Sequence, residues 1–226
     1  MNLALFDLDH TLLPIDSDHS WGEYTISIGW RDRDEFKRAN DAFYDQYKAG
    51  TLDPHDYLRF ATQAIRTQGA TKSIAARADF MGSVIEKAVK KPALNLLAQH
   101  RAAGDTVLLV TATNEFVTAP IAQRLGFADD QLIAVQLEKD ASGWYTGERV
   151  GELSFQGGKI TRVLQWLAER GKTWDDVAHS TFYSDSMNDL PLLEKVNTPV
   201  ATNPDDTLRA LALQRGWKIL DLWTHD

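Results

Sequence analysis

The chain has 226 residues, 43% hydrophobic and 25% charged, with a formal net charge of −8 and no cysteine. That length suits one large domain or a core domain with a smaller companion, in the ordinary composition of a globular protein. The acidic surplus argues against nucleic acid or an anionic membrane surface as a partner, and zero cysteine excludes disulfides, thiol catalysis and cysteine-ligated zinc. The first residues meet Asp7 before any long apolar stretch, and no run approaches the roughly 18 apolar residues of a membrane span. A cytoplasmic protein is therefore expected.

The first element is the short apolar run Leu3-Ala4-Leu5-Phe6, which ends in Asp7-Leu8-Asp9-His10-Thr11. It reads as a buried strand with Asp7 at its carboxyl end and Asp9 in the loop beyond. Ligands bind at that edge of open α/β sheets, although Asp and Thr also cap turns and helices. From 16 to about 91 the chain reads as helices. Asp34 can cap one that carries Phe36, Ala39, Phe43 and Tyr47 and ends at Gly50. Leu58, Ala61 and Ile65 repeat the spacing up to Gly69, and Ile74, Ala78, Met81, Ile85 and Ala88 form a further stripe. Trp21, Tyr24, Trp30 and Tyr44 are expected to pack in the same helical block.

From Pro92 strands and helices alternate. Helix is expected over 93–103, 114–125, 155–170 and 190–195, with strands over 106–111, 180–183, 196–201 and 217–220. Residues 132–137 and 144–149 form a hairpin across Asp140-Ala141-Ser142-Gly143. Asn203-Pro204-Asp205-Asp206 is expected to open the last helix, with a capping side chain and proline at its first position. Such alternation predicts an α/β fold: a Rossmann-like three-layer core around a central parallel sheet, spanning 1–14 and 92–226. Residues 15–91 interrupt it after the first strand, as an inserted α-helical cap domain above Asp7.

Three further strand ends carry polar groups. Thr111-Ala112-Thr113-Asn114 offers a hydroxyl and backbone N–H groups at a helix start, which suit phosphate; Thr113 or Asn114 can also cap that helix. Lys159 follows Gly157-Gly158 in a first helical turn, where a cation is mildly unfavourable unless an anion faces it. Asp185-Ser186-Met187-Asn188-Asp189 adds acids that could cap a helix or serve chemistry. Asp7, Asp9 and Asp185 together would repel a phosphate unless a hard divalent cation such as Mg²⁺ joined them. A carboxylate can attack phosphorus to form an aspartyl-phosphate, and a second acid can move the proton.

These four motifs, in this order, resemble those of the haloacid dehalogenase-like superfamily. The two-acid first motif is similar to its phosphatase branch, and the insert is similar to a type 1 cap of the phosphoserine-phosphatase-like members. The resemblance implies a Mg²⁺-dependent phosphatase of a small phosphorylated metabolite, phosphoserine-like or histidinol-phosphate-like. By position it implies Asp7 as nucleophile and metal ligand, and Asp9 as acid/base with its carbonyl on the metal. It further implies Asp185 as metal ligand, Thr111, Ala112 and Lys159 around phosphate, Asn188 reaching phosphate, and Asp189 supporting Lys159. Ala112-Thr113 departs from the two glycines usual in phosphoserine phosphatases. Asp16 falls where those enzymes hold a substrate amine, and is equally a helix cap. Arg59 and Arg66 are candidates for an anionic substrate tail or plain surface residues, and His10 and His19 are expected to make local hydrogen bonds. A phosphotransferase or mutase of the same superfamily, or a phosphate-accepting signalling module, would use a similar set.

Overall fold

The computed structural model describes residues 1–49 and 51–223, the side chains of residues 47–49 aside. The expected burial of Tyr47 and the helix stop at Gly50 lie outside the described residues. The strands β1 (Asn2–Phe6), β2 (Thr106–Asn114), β3 (Leu132–Lys139), β4 (Tyr145–Val150), β5 (His179–Ser184), β6 (Thr198–Thr202) and β7 (Lys218–Leu220) form one sheet in the order β4-β3-β2-β1-β5-β6-β7. Every neighbouring pair is parallel except β3 with β4, the antiparallel hairpin. β1 lies at the centre, so the end of its apolar run emerges mid-edge.

Alternation along β1 splits the core between the two faces of the sheet. Leu3 and Leu5 pack with Leu108, Phe182 and the inner faces of α7 (Gly157–Ala168), α8 (Leu190–Lys195) and α9 (Asp206–Arg215). Ala4 and Phe6 pack on the other face with α5 (Lys91–Ala102) and α6 (Glu115–Arg124). This is the expected three-layer α/β core.

The interruption after β1 is helical: α1 (Ser17–Ser27), α2 (Arg33–Ala49), α3 (Pro54–Phe80), a π-helical turn at Met81–Ile85 and the short α4 (Glu86–Ala88). Phe36, Phe43, Tyr57 and Phe60 pack on one another within it, and other residues join it to the core. Trp21 of α1 meets Phe80 and, from α6, Phe116 edge to face, at ring separations of 5.3 and 5.5 Å. Trp21, Leu58, Ile65 and Phe80 thereby join the cluster that contains Phe6. Burying a side chain such as Phe80 contributes about 1.5–3 kcal/mol, and Trp21, packed on both Phe80 and Phe116, ties the insert to α6.

Several expectations are corrected. Ile74 is 49% exposed and Ala78 is exposed, while Ser73, Ala76 and Phe80 are the buried residues. The cause is Gly69, whose backbone (φ 76°, ψ 174°) breaks α3 and turns its second half. The Ser73 hydroxyl donates to the Ile65 carbonyl across that break. The π-turn then inserts a residue, so the buried face steps from Phe80 to Ile85. Asp32, not Asp34, accepts from the Glu35 N–H at the start of α2. β2 continues three residues beyond the expected 111, with its register against β3 shifting between Val110 and Asn114. Asp205, not Asn203, caps α9, so Pro204 lies outside the helix. Among the described residues no helix is long and apolar enough to cross a membrane.

Candidate active site

Asp7 follows the last residue of β1, and its N–H still pairs with the Tyr183 carbonyl of β5 at 3.0 Å. The chain then turns sharply. His10 takes a left-handed backbone (φ 56°), which histidine tolerates better than most residues, and the Leu12 and Leu13 N–H groups both return to the Leu8 carbonyl. Asn203, directly after β6 at the same edge of the sheet, closes the turn. Its amide donates to the His10 and Thr11 carbonyls at 2.9 and 3.3 Å, which is why it does not cap α9.

Lys159 lies at the floor, 2% exposed, and its Nζ donates to Asp7 Oδ1 and Asp189 Oδ2, each at 2.7 Å. Asp189 stands at the start of α8 but caps nothing; its carboxylate also accepts from the Ser184 hydroxyl at 2.7 Å. The lysine reaches this depth because α7 begins in a constrained way. Gln156 has φ 48°, and a Cβ on Gly158 would lie 2.0 Å from the Leu153 carbonyl oxygen, so only glycine fits there. Burial disfavours the Lys159 charge, but Asp189 and Asp7 outweigh it and hold the ammonium above its ordinary value. Burial pushes the Asp7 carboxyl up to about 6 against the pull of Lys159.

Asp185 accepts from the Thr11 hydroxyl at 2.9 Å, and the same hydroxyl oxygen accepts from the Asp185 N–H at 3.1 Å. Burial, then the charge of Asp7, holds the Asp185 carboxyl well above the usual range. Asp9 is held separately: Oδ1 accepts from the Ser17 N–H at 2.7 Å and Oδ2 from the Thr113 hydroxyl at 2.9 Å. Burial, followed by Asp16 and Asp7, raises its carboxyl too. All these acids open onto one cavity of about 780 Å³, together with Thr111, Ala112, Asn188 and Lys159. The Thr111 hydroxyl accepts from the Thr113 N–H at 3.1 Å, and Asn188 bonds Ser186 at the rim.

Asp16 lines the cavity and caps α1 through the His19 N–H, at 2.9 Å. Asp18, which the sequence did not single out, also faces the cavity. Its carboxylate accepts from the Tyr57 hydroxyl at 2.7 Å and the Asn114 amide at 3.3 Å. Burial, then Asp16, pushes its carboxyl up to about 6 despite the Tyr57 bond. Arg59 and Arg66 point elsewhere: Arg59 pairs with Glu148 of β4 at 2.7 Å, and Arg66 donates to the Arg59 carbonyl. Neither lines the cavity, and Lys159 is the one lysine or arginine among its described walls. Thr11, Ser17, Thr113, Ser184 and Asn203 also hold the site. Thr11 and Thr113 lie inside the motifs and Ser184 directly precedes one, Asn203 reads as a helix cap, and Ser17 carries no signal without knowledge of which strand ends meet.

At the floor Asp7, Asp9, Asp185 and Asp189 face a single lysine, which pairs with two of them; this leaves unbalanced negative charge, and the available donors are oxygens, the set a hard cation prefers. Among the described residues no three acidic or imidazole side chains converge as a ready-made cage.

A family model described as haloacid dehalogenase-like hydrolase matches residues 4–194. A Neisseria meningitidis protein named histidinol-phosphatase is 40% identical over 220 residues, covering 97% of this chain and 98% of that one. A Mycobacterium tuberculosis protein named phosphoserine phosphatase SerB1 is 32% identical over 221 residues, 96% of this chain and 70% of that one. Among solved structures, a Bordetella pertussis protein described as of unknown function superposes with a TM-score of 0.92 at 44% identity, over 98% and 99% of the two chains. The chain belongs to the haloacid dehalogenase-like hydrolase family, and it is a phosphatase of that family.

Proposed function

We propose that the protein hydrolyses a small phosphomonoester through an aspartyl-phosphate on Asp7. The observation that carries this reading is the Lys159 bridge between Asp7 and Asp189, set beside a second carboxylate, Asp9, held apart from it. Asp7 attacks phosphorus, and Asp9 gives a proton to the leaving oxygen and then takes one from the attacking water. Lys159 and the Thr111 hydroxyl face the phosphoryl oxygens, with Ala112 and Asn188 at the rim. Mg²⁺ held by Asp7, Asp185 and the Asp9 carbonyl supplies positive charge that offsets the acids and the phosphate. Residues 15–91 serve as the cap over a core formed by 1–14 and 92–226.

The walls on the cap side favour a cationic tail. Asp16 and Asp18 are acidic, Phe43 and Tyr57 are aromatic, and no described lysine or arginine of the insert lines that side to receive a carboxylate, His19 being its one imidazole. A histidinol-phosphate-like substrate, carrying an amine and an imidazole but no carboxylate, suits these walls better than phosphoserine. In the test, purified protein with Mg²⁺ is assayed against both compounds and p-nitrophenyl phosphate. The reading predicts higher kcat/KM for histidinol phosphate than for phosphoserine, and near-complete loss in Asp7→Asn. A faster phosphoserine reaction would overturn the substrate assignment; full activity of Asp7→Asn would overturn the mechanism. Asp16→Asn is expected to raise KM for the amine substrate and leave that for p-nitrophenyl phosphate unchanged.

A further inference from the structure

Asp9 is gripped from both sides by groups that touch none of the other acids at the floor. The Ser17 N–H, at the first position of α1, reaches Oδ1, while the Thr113 hydroxyl reaches Oδ2 from a residue 104 positions away in the chain. Thr113 is itself fixed. It is buried, its N–H is engaged by Thr111, and the register shift late in β2 re-aims this end of the strand. Its hydroxyl reaches the side of the carboxylate opposite the helical insert. A side chain free at χ1 would choose among three staggered wells, whereas two donors on different oxygens specify one. The Ser17 N–H can only donate, so a proton carried by Asp9 is not tied up there.

We infer that Thr113 is a positioning residue for proton transfer: its hydroxyl, opposite the Ser17 N–H, holds the Asp9 carboxylate in the one rotamer that faces the bound ester. The inference rests on the phosphatase reading above, in which Asp9 moves the proton. Misplacing a catalytic group by about 1 Å can cost roughly a hundredfold, and a positioned acid contributes about 10²–10⁴. The dependence falls on esters whose leaving oxygen needs the proton.

The test compares phenyl phosphate with p-nitrophenyl phosphate, which share a shape but differ in how readily the phenoxide leaves. The readout is kcat/KM, which reports the steps up to phosphoryl transfer. Thr113→Val keeps the strand-compatible shape and removes the hydroxyl. It is expected to lower kcat/KM for phenyl phosphate by about tenfold or more and for p-nitrophenyl phosphate by less than about threefold. Thr113→Ser, which restores the hydroxyl, is expected to recover phenyl phosphate hydrolysis to within about threefold of the parent. Equal losses on both esters, no loss on phenyl phosphate, or a serine variant as impaired as the valine one would overturn the inference. Should the valine variant fail to fold, the same comparison between Thr113→Ala and Thr113→Ser decides. Asp9→Asn separates the two levels: if it hydrolyses phenyl phosphate normally the proton-transfer role given to Asp9 fails and the inference with it, and if it is inactive while Thr113→Val is unaffected only the role of Thr113 fails.

Discussion

Lys159 and Asp189 form a buried pair, Nζ to Oδ2 at 2.7 Å, with both side chains almost wholly excluded from solvent. Burial makes each charge dependent on the other. Lys159→Met leaves Asp7 and Asp189 facing each other without a cation, and breaking such a pair typically costs about 3–5 kcal/mol. The raised Lys159 pKa means that its stabilising contribution is fully present below about pH 10 and fades only at more alkaline pH. At neutral pH the variant is therefore expected to melt well below the parent and to lose at least about a hundredfold in kcat. Thermal melts with p-nitrophenyl phosphate kinetics check this; an unchanged melting temperature would contradict it.

Thr11 orients Asp185 twice over, donating from its hydroxyl to Oδ1 and accepting the Asp185 N–H. Thr11→Val keeps the volume and removes both bonds. Groups that orient a metal-binding carboxylate commonly matter by about 10–100-fold in metal affinity. The Mg²⁺ concentration for half-maximal activity should rise by that factor, with activity recovered at saturating Mg²⁺. Chelation with EDTA should abolish turnover in both proteins. An unaltered Mg²⁺ titration would remove Thr11 from this role.

Asp18 contributes a pH dependence of stability with a definite sign. Its carboxyl is raised from 3.8 to about 6 by burial and Asp16, so the folded state binds a proton more tightly than the unfolded state does. Stability from this group is greatest below about pH 4 and declines as the pH rises through 6, by up to about 3 kcal/mol. Asp18→Asn lacks that slope. The melting temperature of the variant relative to the parent should therefore rise between pH 4.5 and 7.5, measured without metal. A flat difference would show that Asp18 is not strained as an anion.

Gly158 is required by space, not by a positive φ. A methyl group there would press on the Leu153 carbonyl oxygen, three residues before Gln156, which has a positive φ. Gly158→Ala must shift that backbone, a kind of overpacking that costs about 1–3 kcal/mol, and the shift moves the start of α7 that carries Lys159. The expected outcome is a lower melting temperature with a disproportionate fall in kcat. Gly157→Ala is the control, since its Cβ would meet nothing within 4 Å and only modest effects are expected.

Much of the fold was legible because its signals are local. The apolar run 3–6, the β-branched stretch from Thr106 and the hairpin around Asp140-Ala141-Ser142-Gly143 carry their own periodicity and turn chemistry, and each forms the expected element. The stripe from Ile74 holds at Ile85 and Ala88 but not at Ile74 and Ala78, because the turn at Gly69 sets which face of the second half of α3 is buried and the π-turn then changes the helical phase, and residue spacing records neither direction nor phase. Asn203 looked like a helix cap because caps and turn staples use the same side-chain chemistry. Only its proximity to His10 and Thr11 across the sheet selects between them.

The same division holds for the site. By itself the sequence determined the candidate groups: two acids two residues apart, a hydroxyl and a second acidic motif at strand ends, and a lysine in a first helical turn, because residue type and strand order are local or sequential properties. Only tertiary structure decided how they are shared. It gave Lys159 to Asp7 and Asp189, Thr11 to Asp185, and Ser17 with Thr113 to Asp9, and it turned Arg59 and Arg66 away while bringing Asp18 to the cavity. Those pairings join residues up to 174 positions apart, and they depend on packing directions that no local pattern encodes.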